Sequence, residues 1–490
     1  MGRCRATTTT ARVAVAILAA AGCDDARTAT CGTGEVVSAD GHRYCAFGPD
    51  LVASGRADCP DAIPVRIAVG ASVVCADRAL DPEDVPSAVC DAIGGCGEPA
   101  DAGAGPDGGE GGDGGSSPVD ASSDEDAGDA AAPPSSGFVQ IEAGTRFTCA
   151  RTSDGDVVCW GANDSGQLGV ERGPEGLPLL PTLVTGLPEP AIDLACGVSH
   201  ACAVARSGSV WCWGSNVTGR VNPSSAELVV RPVRVAGVVG AVEVAAAESS
   251  SCARLGDGTV TCWGDSPYVL TDSRDVTPVA GLADVVEIDA GYGHVCARTR
   301  SGDVLCWGTN VFGQLGDGTM RENSDTPVAV VGITRAEGIA VGSAHGCAVT
   351  GGQVDCWGSG DYGQLGIEPV SPSGTTARVP VRVPGVRDVL EVAAGGPDLS
   401  TGHTCVRLAS QILCFGDARN QQTGGPGTAM QWMPWPVPLA ATHLALGGVH
   451  SCALAGDGVA YCWGRGDDLQ LGVVLLDGYA TPAPQRVGSP

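Results

Sequence analysis

The sequence contains no lysine. Its 28 basic residues are all arginine, they are outnumbered by 56 acidic residues, and the formal net charge is −28. Such an excess of negative charge disfavours nucleic acid and anionic lipid surfaces as partners. The absence of lysine beside abundant alanine, glycine and arginine also suggests a GC-rich bacterial genome.

Long apolar runs are absent except near the amino terminus, so no other segment is predicted to span a bilayer. Residues 1–22 carry three arginines and then the apolar stretch Val13–Ala21, which is typical of a secretory signal peptide. The following Ala20-Ala21-Gly22-Cys23 resembles the lipobox of bacterial lipoproteins, although Ala20 stands where leucine is more usual. The resemblance implies acylation of Cys23 and a protein lipid-anchored to the bacterial cell envelope or surface. Without lipidation, the chain would be secreted.

Motifs for catalysis and metal binding are also absent. Cysteine pairs with the short spacing of zinc sites do not occur, and we find no nucleophile with an adjacent base, no paired carboxylates and no phosphate-binding loop. We therefore predict no enzyme activity, no catalytic residues, no cofactor and no metal site.

A motif with two cysteines, in contrast, occurs seven times between Cys149 and Cys462. Two cysteines flank a short turn, and an aromatic residue and Gly follow the second one. The pairs are Cys149 with Cys159, Cys202 with Cys212, Cys252 with Cys262, Cys296 with Cys306, Cys347 with Cys356, Cys405 with Cys414, and Cys452 with Cys462. Their recurrence about every 50 residues marks a repeat array.

The length of the turn indicates that the two cysteines of each pair face one another. Where the pair is ten residues apart, the turn has three residues and ends in Gly; where it is nine apart, the turn has lost one residue. Counting outward from either turn sets the cysteines opposite each other at a non-hydrogen-bonded position, within disulfide reach. We predict seven cross-strand disulfides and an oxidising compartment. The alternative is that the cysteines only pack between strands as small apolar side chains.

The remaining cysteines indicate a separate small domain at residues 23–97. Six of them follow Cys23 and suggest three bridges whose connectivity the sequence leaves open: Cys31, Cys45, Cys59, Cys75, Cys90 and Cys96. Cys196 is left alone and is expected to be a buried, unreactive thiol. Residues 98–136 are rich in Gly, Ala, Asp, Ser and Pro and are predicted to be an acidic, disordered linker.

From residue 137 to 490 the chain consists of short apolar runs and turns without helical periodicity, with four such runs in each repeat unit. This pattern predicts an all-β fold, a seven-bladed β-propeller. The sequence leaves open which of the four strands of a repeat unit is the first strand of a blade. If blades begin with the Pro-rich segment, then the last one, residues 482–487, pairs with the blade starting at Phe138 and closes the ring.

The run Trp307-Gly308-Thr309-Asn310-Val311-Phe312-Gly313-Gln314-Leu315-Gly316 resembles the repeat of the regulator of chromosome condensation family. Parts of it recur after Trp160, Trp357 and Trp463, while the blades with Trp213, Trp263 and Phe415 depart from it. The resemblance implies a seven-bladed propeller. The family is best known for nucleotide exchange on an intracellular small GTPase, which suits an exported, disulfide-bonded chain poorly.

Five repeats place a histidine two residues before the first cysteine: His200, His294, His345, His403 and His450. The family repeat includes this histidine, so we interpret it as structural rather than as a metal ligand, and we interpret the aromatics after the second cysteine as packing between blades. Trp432 and Trp435 depart from the repeat and are candidate partner contacts. We predict a monomeric interaction scaffold for an unidentified protein, with membrane contact only through the N-terminal lipid. The alternatives are a secreted enzyme inhibitor or a hydrolase on the propeller.

Overall fold

The structure is a computed structural model. It describes four strands before residue 77, with their backbone only, and then residues 137–171, 179–264, 274–320, 323–369, 375–427, 430–475 and 479–488. The chain divides into two compact units, Met1–Ser123 and Asp124–Pro490. The predicted signal peptide, the lipidation site Cys23, the linker 98–136, and Cys31, Cys59, Cys90 and Cys96 lie outside the described residues.

The described part of the first unit is a four-stranded antiparallel sheet with the order β1-β2-β4-β3. Its strands are β1 (Glu35–Ala39), β2 (His42–Phe47), β3 (Val65–Val69) and β4 (Ser72–Ala76). The register of β2 and β4 sets Cys45 opposite Cys75.

The second unit is a ring of seven four-stranded antiparallel sheets, which confirms the predicted all-β seven-bladed propeller. Blade 1 has β5 (Phe138–Ala143), β6 (Phe147–Thr152), β7 (Val157–Gly161) and β8 (Leu179–Leu183); blade 2 has β9 (Ala191–Cys196), β10 (His200–Ala205), β11 (Val210–Ser215) and β12 (Leu228–Arg234); blade 3 has β13 (Ala241–Ala246), β14 (Ser251–Leu255), β15 (Val260–Trp263) and β16 (Thr277–Pro278). Blade 4 has β17 (Val285–Ala290), β18 (His294–Thr299), β19 (Val304–Gly308) and β20 (Ser324–Ala329); blade 5 has β21 (Gly338–Val341), β22 (His345–Thr350), β23 (Gln353–Ser359) and β24 (Thr376–Arg382). Blade 6 has β25 (Glu391–Gly395), β26 (His403–Arg407), β27 (Ile412–Gly416) and β28 (Gln431–Val437); blade 7 has β29 (Ala441–Leu446), β30 (His450–Ala455), β31 (Ala460–Arg465) and β32 (Ala480–Arg486). Among the described residues no helix is long and apolar enough to cross a membrane.

Each blade is a simple meander of four consecutive strands, and each begins with the strand that precedes the cysteine hairpin. The first strand lines the central channel and the fourth strand, which contains the Pro-rich segment, is outermost. The last Pro-rich segment was expected to pair with the blade starting at Phe138 if blades began with this segment. That expectation is wrong, because β32 pairs with β31 as the outer strand of blade 7. The ring closes instead by packing of blade 7 on blade 1, including a hydrogen bond from the Phe138 amide to the Gly458 carbonyl of 3.0 Å.

Two ends of the strands define two faces of the ring. We call the end with the turns between second and third strands the turn face, and the end with the connections from first to second and from third to fourth strand the loop face. Strands two and three of every blade are joined by a disulfide between directly opposed cysteines, with Cα atoms 4.0 to 4.1 Å apart. This short separation is typical of the non-hydrogen-bonded position expected from the turn lengths.

The core lies between adjacent blades. The indole N–H groups of five buried tryptophans donate to a carbonyl in the third-to-fourth strand loop of the preceding blade: Trp160 to Gln470, Trp213 to Gln167, Trp263 to Arg220, Trp357 to Gln314 and Trp463 to Gln422. Phe415 is equally buried in blade 6. These rings pack between blades, as the repeat indicates, and blade 2 keeps the interaction although Arg220 replaces the usual glutamine.

Candidate functional site

The histidines of the repeat lie in the junctions between blades, fully buried. Four of them contact a Ser or Thr hydroxyl of the next blade through Nε2 at 2.7 to 2.9 Å: His200 with Ser251, His345 with Thr404, His403 with Ser451 and His450 with Thr148. Each hydroxyl also donates to a carbonyl, so Nε2 carries the proton toward the hydroxyl oxygen. Burial lowers the pKa of His345, His403 and His450 to about 3. These neutral rings connect blades, and none of the described residues forms a cluster that could hold a metal ion.

The two tryptophans singled out in the sequence lie on β28, the outer strand of blade 6. The side chain of Trp435 is 39% exposed and neighbouring Met433 is 57% exposed. Trp432 is half-buried at the start of β28, where blade 5 packs closely: a Cβ atom added at Gly363 would lie 2.9 Å from the Trp432 backbone. Trp432 therefore contributes to packing between blades, whereas Trp435 and Met433 remain accessible.

A second aromatic group lies beside β28 on the loop face. The guanidinium of Arg419 in blade 6 lies 4.7 Å from the ring centroid of Tyr362 in blade 5, and it is also paired with Asp417 at 2.8 Å. Both residues occupy the third-to-fourth strand loops, and Tyr362 directly precedes Gly363. This pair was not predicted from the sequence. Its only sequence signal is that Tyr362 and Arg419 stand at loop positions where blade 1 has Ser165 and Asp164.

The central channel is a cavity of about 400 Å³ lined by the first strands of the blades. Carboxylates are concentrated there: Glu142, Asp193, Glu243, Glu287, Asp289 and Glu391. Three of them are paired with an arginine of the adjacent strand at 2.5 to 2.6 Å, namely Glu243 with Arg254, Glu287 with Arg298 and Glu391 with Arg407. This cluster was not predicted from the sequence, although Asp193, Glu243 and Glu287 are each the third residue of a first strand.

These carboxylates also connect neighbouring blades. Each of five accepts a backbone N–H of the next blade: Asp193 from Val244, Glu243 from Ile288, Glu287 from Ile339, Asp289 from Val341 and Glu391 from Leu444, at 2.7 to 3.3 Å. Burial raises the pKa of Asp193 to about 6, that of Glu243 to about 7 and that of Asp289 to about 8. The channel wall is therefore acidic but partly protonated near neutral pH.

His443 is the third residue of β29, the position that Glu243 and Glu287 hold in their own first strands, and it links three blades. Its Nδ1 lies 3.0 Å from Glu391 of blade 6 and its Nε2 lies 3.7 Å from Glu142 of blade 1. Although burial opposes the charged ring, the two carboxylates raise the pKa of His443 to about 10. A cationic imidazole thus bridges the junction at which the ring closes.

Cys196 also lines the channel and is the free cysteine of the described propeller. Burial raises the pKa of its thiol well above the usual range. The thiol is therefore protonated at neutral pH and a poor nucleophile, although Cys196 is half-buried rather than buried as expected.

Comparison with known proteins places this architecture in a family. The profile of the RCC1-like domain matches residues 101–438. Mouse regulator of chromosome condensation is 35% identical over 102 residues, which cover 20% of this chain and 24% of that protein. The bovine secretion-regulating guanine nucleotide exchange factor is 37% identical over 78 residues, 16% of this chain and 17% of that protein. The chain thus spans less than a quarter of the length of these curated relatives.

Two solved structures share the fold. The structure of Kap60 bound to yeast RCC1 (Prp20) superposes with a TM-score of 0.61 at 22% identity, covering 76% of this chain and 91% of that chain. Human WBSCR16 superposes with a TM-score of 0.59 at 21% identity, covering 68% and 94%. At these identities the similarity shows the fold alone.

Proposed function

Because the chain belongs to the RCC1-like domain family, we propose that its propeller is a protein-binding module. Yeast RCC1 (Prp20) is known in complex with Kap60, and a second structure of Prp20p is described with its binding to Gsp1p and histones. Those partners belong to the yeast proteins. What we carry over is the general use of a rigid propeller as a platform for a protein partner.

The observation that supports this proposal most directly is the surface of blades 5 and 6 on the loop face. Tyr362, Arg419, Met433 and Trp435 combine an arginine stacked on an aromatic ring with accessible large apolar side chains. Aromatic residues, Met and Arg are enriched at protein interfaces and supply most of their binding energy. In a chain with only 4% aromatic residues, their concentration on two adjacent blades favours a partner site.

The outer edges of the blades support binding on a face rather than by strand addition. In six blades a proline precedes the residue opposite the second cysteine: Pro181, Pro232, Pro327, Pro380, Pro434 and Pro484. In blade 1 the amide of Val184 donates inward to Val157 at 2.8 Å, so by alternation Pro181 stands where an N–H would point to solvent. Missing edge donors disfavour pairing with an added strand.

The location of this module is part of the proposal. Seven disulfides in one domain favour an oxidising compartment, and the amino-terminal sequence favours export with lipidation of Cys23. Cys23→Ser is expected to abolish incorporation of labelled fatty acid and to release the protein from the envelope fraction. Unchanged labelling and fractionation of Cys23→Ser would contradict the lipid anchor.

The test of protein binding compares variants. Oxidised full-length chain is immobilised and exposed to native envelope extract without reductant, in parallel with the double variant Tyr362→Ala/Arg419→Ala and with Ser165→Ala, the blade 1 counterpart of Tyr362. We expect a protein that wild type and Ser165→Ala retain and the double variant loses. Equal retention by all three, or no retained protein, would refute this site.

A further inference from the structure

Aliphatic side chains lie at the turn-face ends of five first strands, each directly before a residue that lines the central channel. Four are the second residue of a first strand and Leu390 stands directly before β25; Val286 is half-buried, and the set is here called the collar: Val139, Ile192, Val242, Val286 and Leu390. Val139 is 49% exposed and Leu390 58% exposed, and Ile192 and Val242 are each 38% exposed. Blades 5 and 7 have the polar Glu337 and Thr442 at this position. Several accessible aliphatic side chains around one opening mark an interaction surface.

The channel behind the collar distinguishes two kinds of carboxylate. Glu243, Glu287 and Glu391 are each occupied by the Nε of an arginine from their own blade. Among the described residues, Glu142, Asp193 and Asp289 form no ion pair with arginine, although Glu142 lies 3.7 Å from His443 and Gln140 donates to Glu142 and Asp193. The site therefore combines a partly apolar rim with an interior in which only three of six carboxylates are paired with arginine.

We propose that this mouth binds a protruding loop of a protein partner in which an arginine is flanked by aliphatic residues. The aliphatic side chains of the loop would cover the collar, and the arginine would extend into the channel toward Glu142 and Asp193. Arginine suits this environment because its methylene groups pack on apolar surface while its planar guanidinium matches carboxylate geometry. The three internal pairs show that carboxylates of this wall accept an arginine Nε.

The charge of the chain supports a cationic ligand, since its formal net charge is −28. A cavity of about 400 Å³ is large enough to admit a side chain. This inference goes beyond the proposed function and concerns the opposite face from Tyr362 and Arg419. Loss of one interaction therefore leaves the other measurable.

A backbone-cyclised hairpin peptide with Leu-Arg-Val at its tip provides the probe, and its affinity for the oxidised full chain is measured by calorimetry. Two counterparts isolate the two parts of the site: Leu-citrulline-Val keeps the shape without the charge, and Ser-Arg-Ser keeps the charge without the aliphatic residues. We expect either replacement to weaken binding about tenfold or more. Binding of the arginine peptide no tighter than that of the citrulline peptide would overturn the proposal.

Variants of the chain locate the binding. Leu390→Ser and Val139→Ser alter the collar, Glu142→Gln removes a channel charge, and Val311→Ser is the control because Val311 is a 43% exposed valine on the loop face. Unfolding midpoints verify that each variant is folded. We expect about tenfold weaker binding for the collar variants and for Glu142→Gln. We expect the affinity of Val311→Ser to equal that of the wild type. Equal peptide affinity for all variants would attribute binding to the net negative charge of the chain and refute the site.

Discussion

The junction between blades 5 and 6 and the junction between blades 4 and 5 are built from the same repeat but are bonded differently. In the first, His345 contacts the Thr404 hydroxyl at 2.9 Å, and that hydroxyl donates to the Gln364 carbonyl at 2.8 Å. In the second, His294 faces blade 5, where the residue equivalent to Thr404 is Gly346. Among the described residues neither ring nitrogen of His294 has a hydrogen-bond partner.

The difference shows that the histidine of the repeat forms a hydrogen bond across the junction only where the next blade supplies a hydroxyl. In blade 5 a Cβ atom at Gly346 would lie 2.7 Å from the indole of Trp357, so the placement of this particular indole leaves room only for Gly. Blades 1, 3 and 7 hold both a tryptophan and a hydroxyl, so this close approach is a feature of blade 5 and not of the repeat. A position in the repeat can thus retain its residue type and lose its interaction.

The largest effect is expected from breaking the complete junction. Thr404→Val leaves the buried Nε2 of His345 and the Gln364 carbonyl without their partner, and we expect the free energy of unfolding to fall by about 2 to 3 kcal/mol. Urea unfolding under oxidising conditions measures it. Thr404→Ser keeps the hydroxyl and is the matched control, with a loss of about 1 kcal/mol. Equal losses for both variants would show that the methyl group, not the hydroxyl, matters.

A smaller effect is expected from supplying a hydroxyl to the incomplete junction. Gly346→Ser places Cβ against the Trp357 indole, so we expect destabilisation of about 1 to 2 kcal/mol despite the new partner for His294. Adding Trp357→Phe should relieve the contact and recover part of the loss, as measured by the same unfolding experiment. A stabilised Gly346→Ser variant would contradict the steric explanation.

Replacing the histidine itself sharpens the comparison. His294→Leu removes a ring without hydrogen-bond partners, so its cost should stay below about 1 kcal/mol, whereas His345→Leu removes a hydrogen bond and should cost about 1 kcal/mol more. Thermal unfolding of the two variants in parallel measures the difference. A greater loss for His294→Leu would indicate that His294 has a partner.

The smallest change at any one pH is expected from the titrating groups, and its sign can be stated. The pKa of His294 and His345 falls to about 3, so their contribution to stability is lost as pH decreases below about 6.5. The pKa of Asp289 rises to about 8, so its contribution is present below its unfolded value and is lost as pH rises toward 8. We expect maximal thermal stability near pH 6.5 and a shallower alkaline decline for Asp289→Asn. An unchanged alkaline limb in Asp289→Asn would contradict this assignment.

Much of the propeller could be predicted from sequence because turn length and cysteine spacing change together. The one-residue deletion before Cys356 and before Cys414 keeps the cysteines opposed, which identifies a hairpin without further information. The phase of the repeat could not be predicted in this way, since a meander of similar strands can be divided at any connection. The packing of β32 on β31 settles it.

The surfaces were harder to predict because they depend on contacts between distant repeats. Trp435 was visible as a departure from the pattern, whereas Tyr362 and Arg419 come together only when blades 5 and 6 are adjacent. The channel carboxylates are likewise unremarkable within a single strand such as β13. They form a cluster only when seven first strands surround one axis.

The most direct test of the central claim, that the propeller binds a protein partner through the loop face of blades 5 and 6, is hydrogen–deuterium exchange of the oxidised full chain with its captured partner. We expect slower exchange in the loops containing Tyr362 and Arg419 and in β28, with little change in the equivalent loop of blade 1. Protection confined to blade 1, or spread evenly over all seven blades, would contradict it.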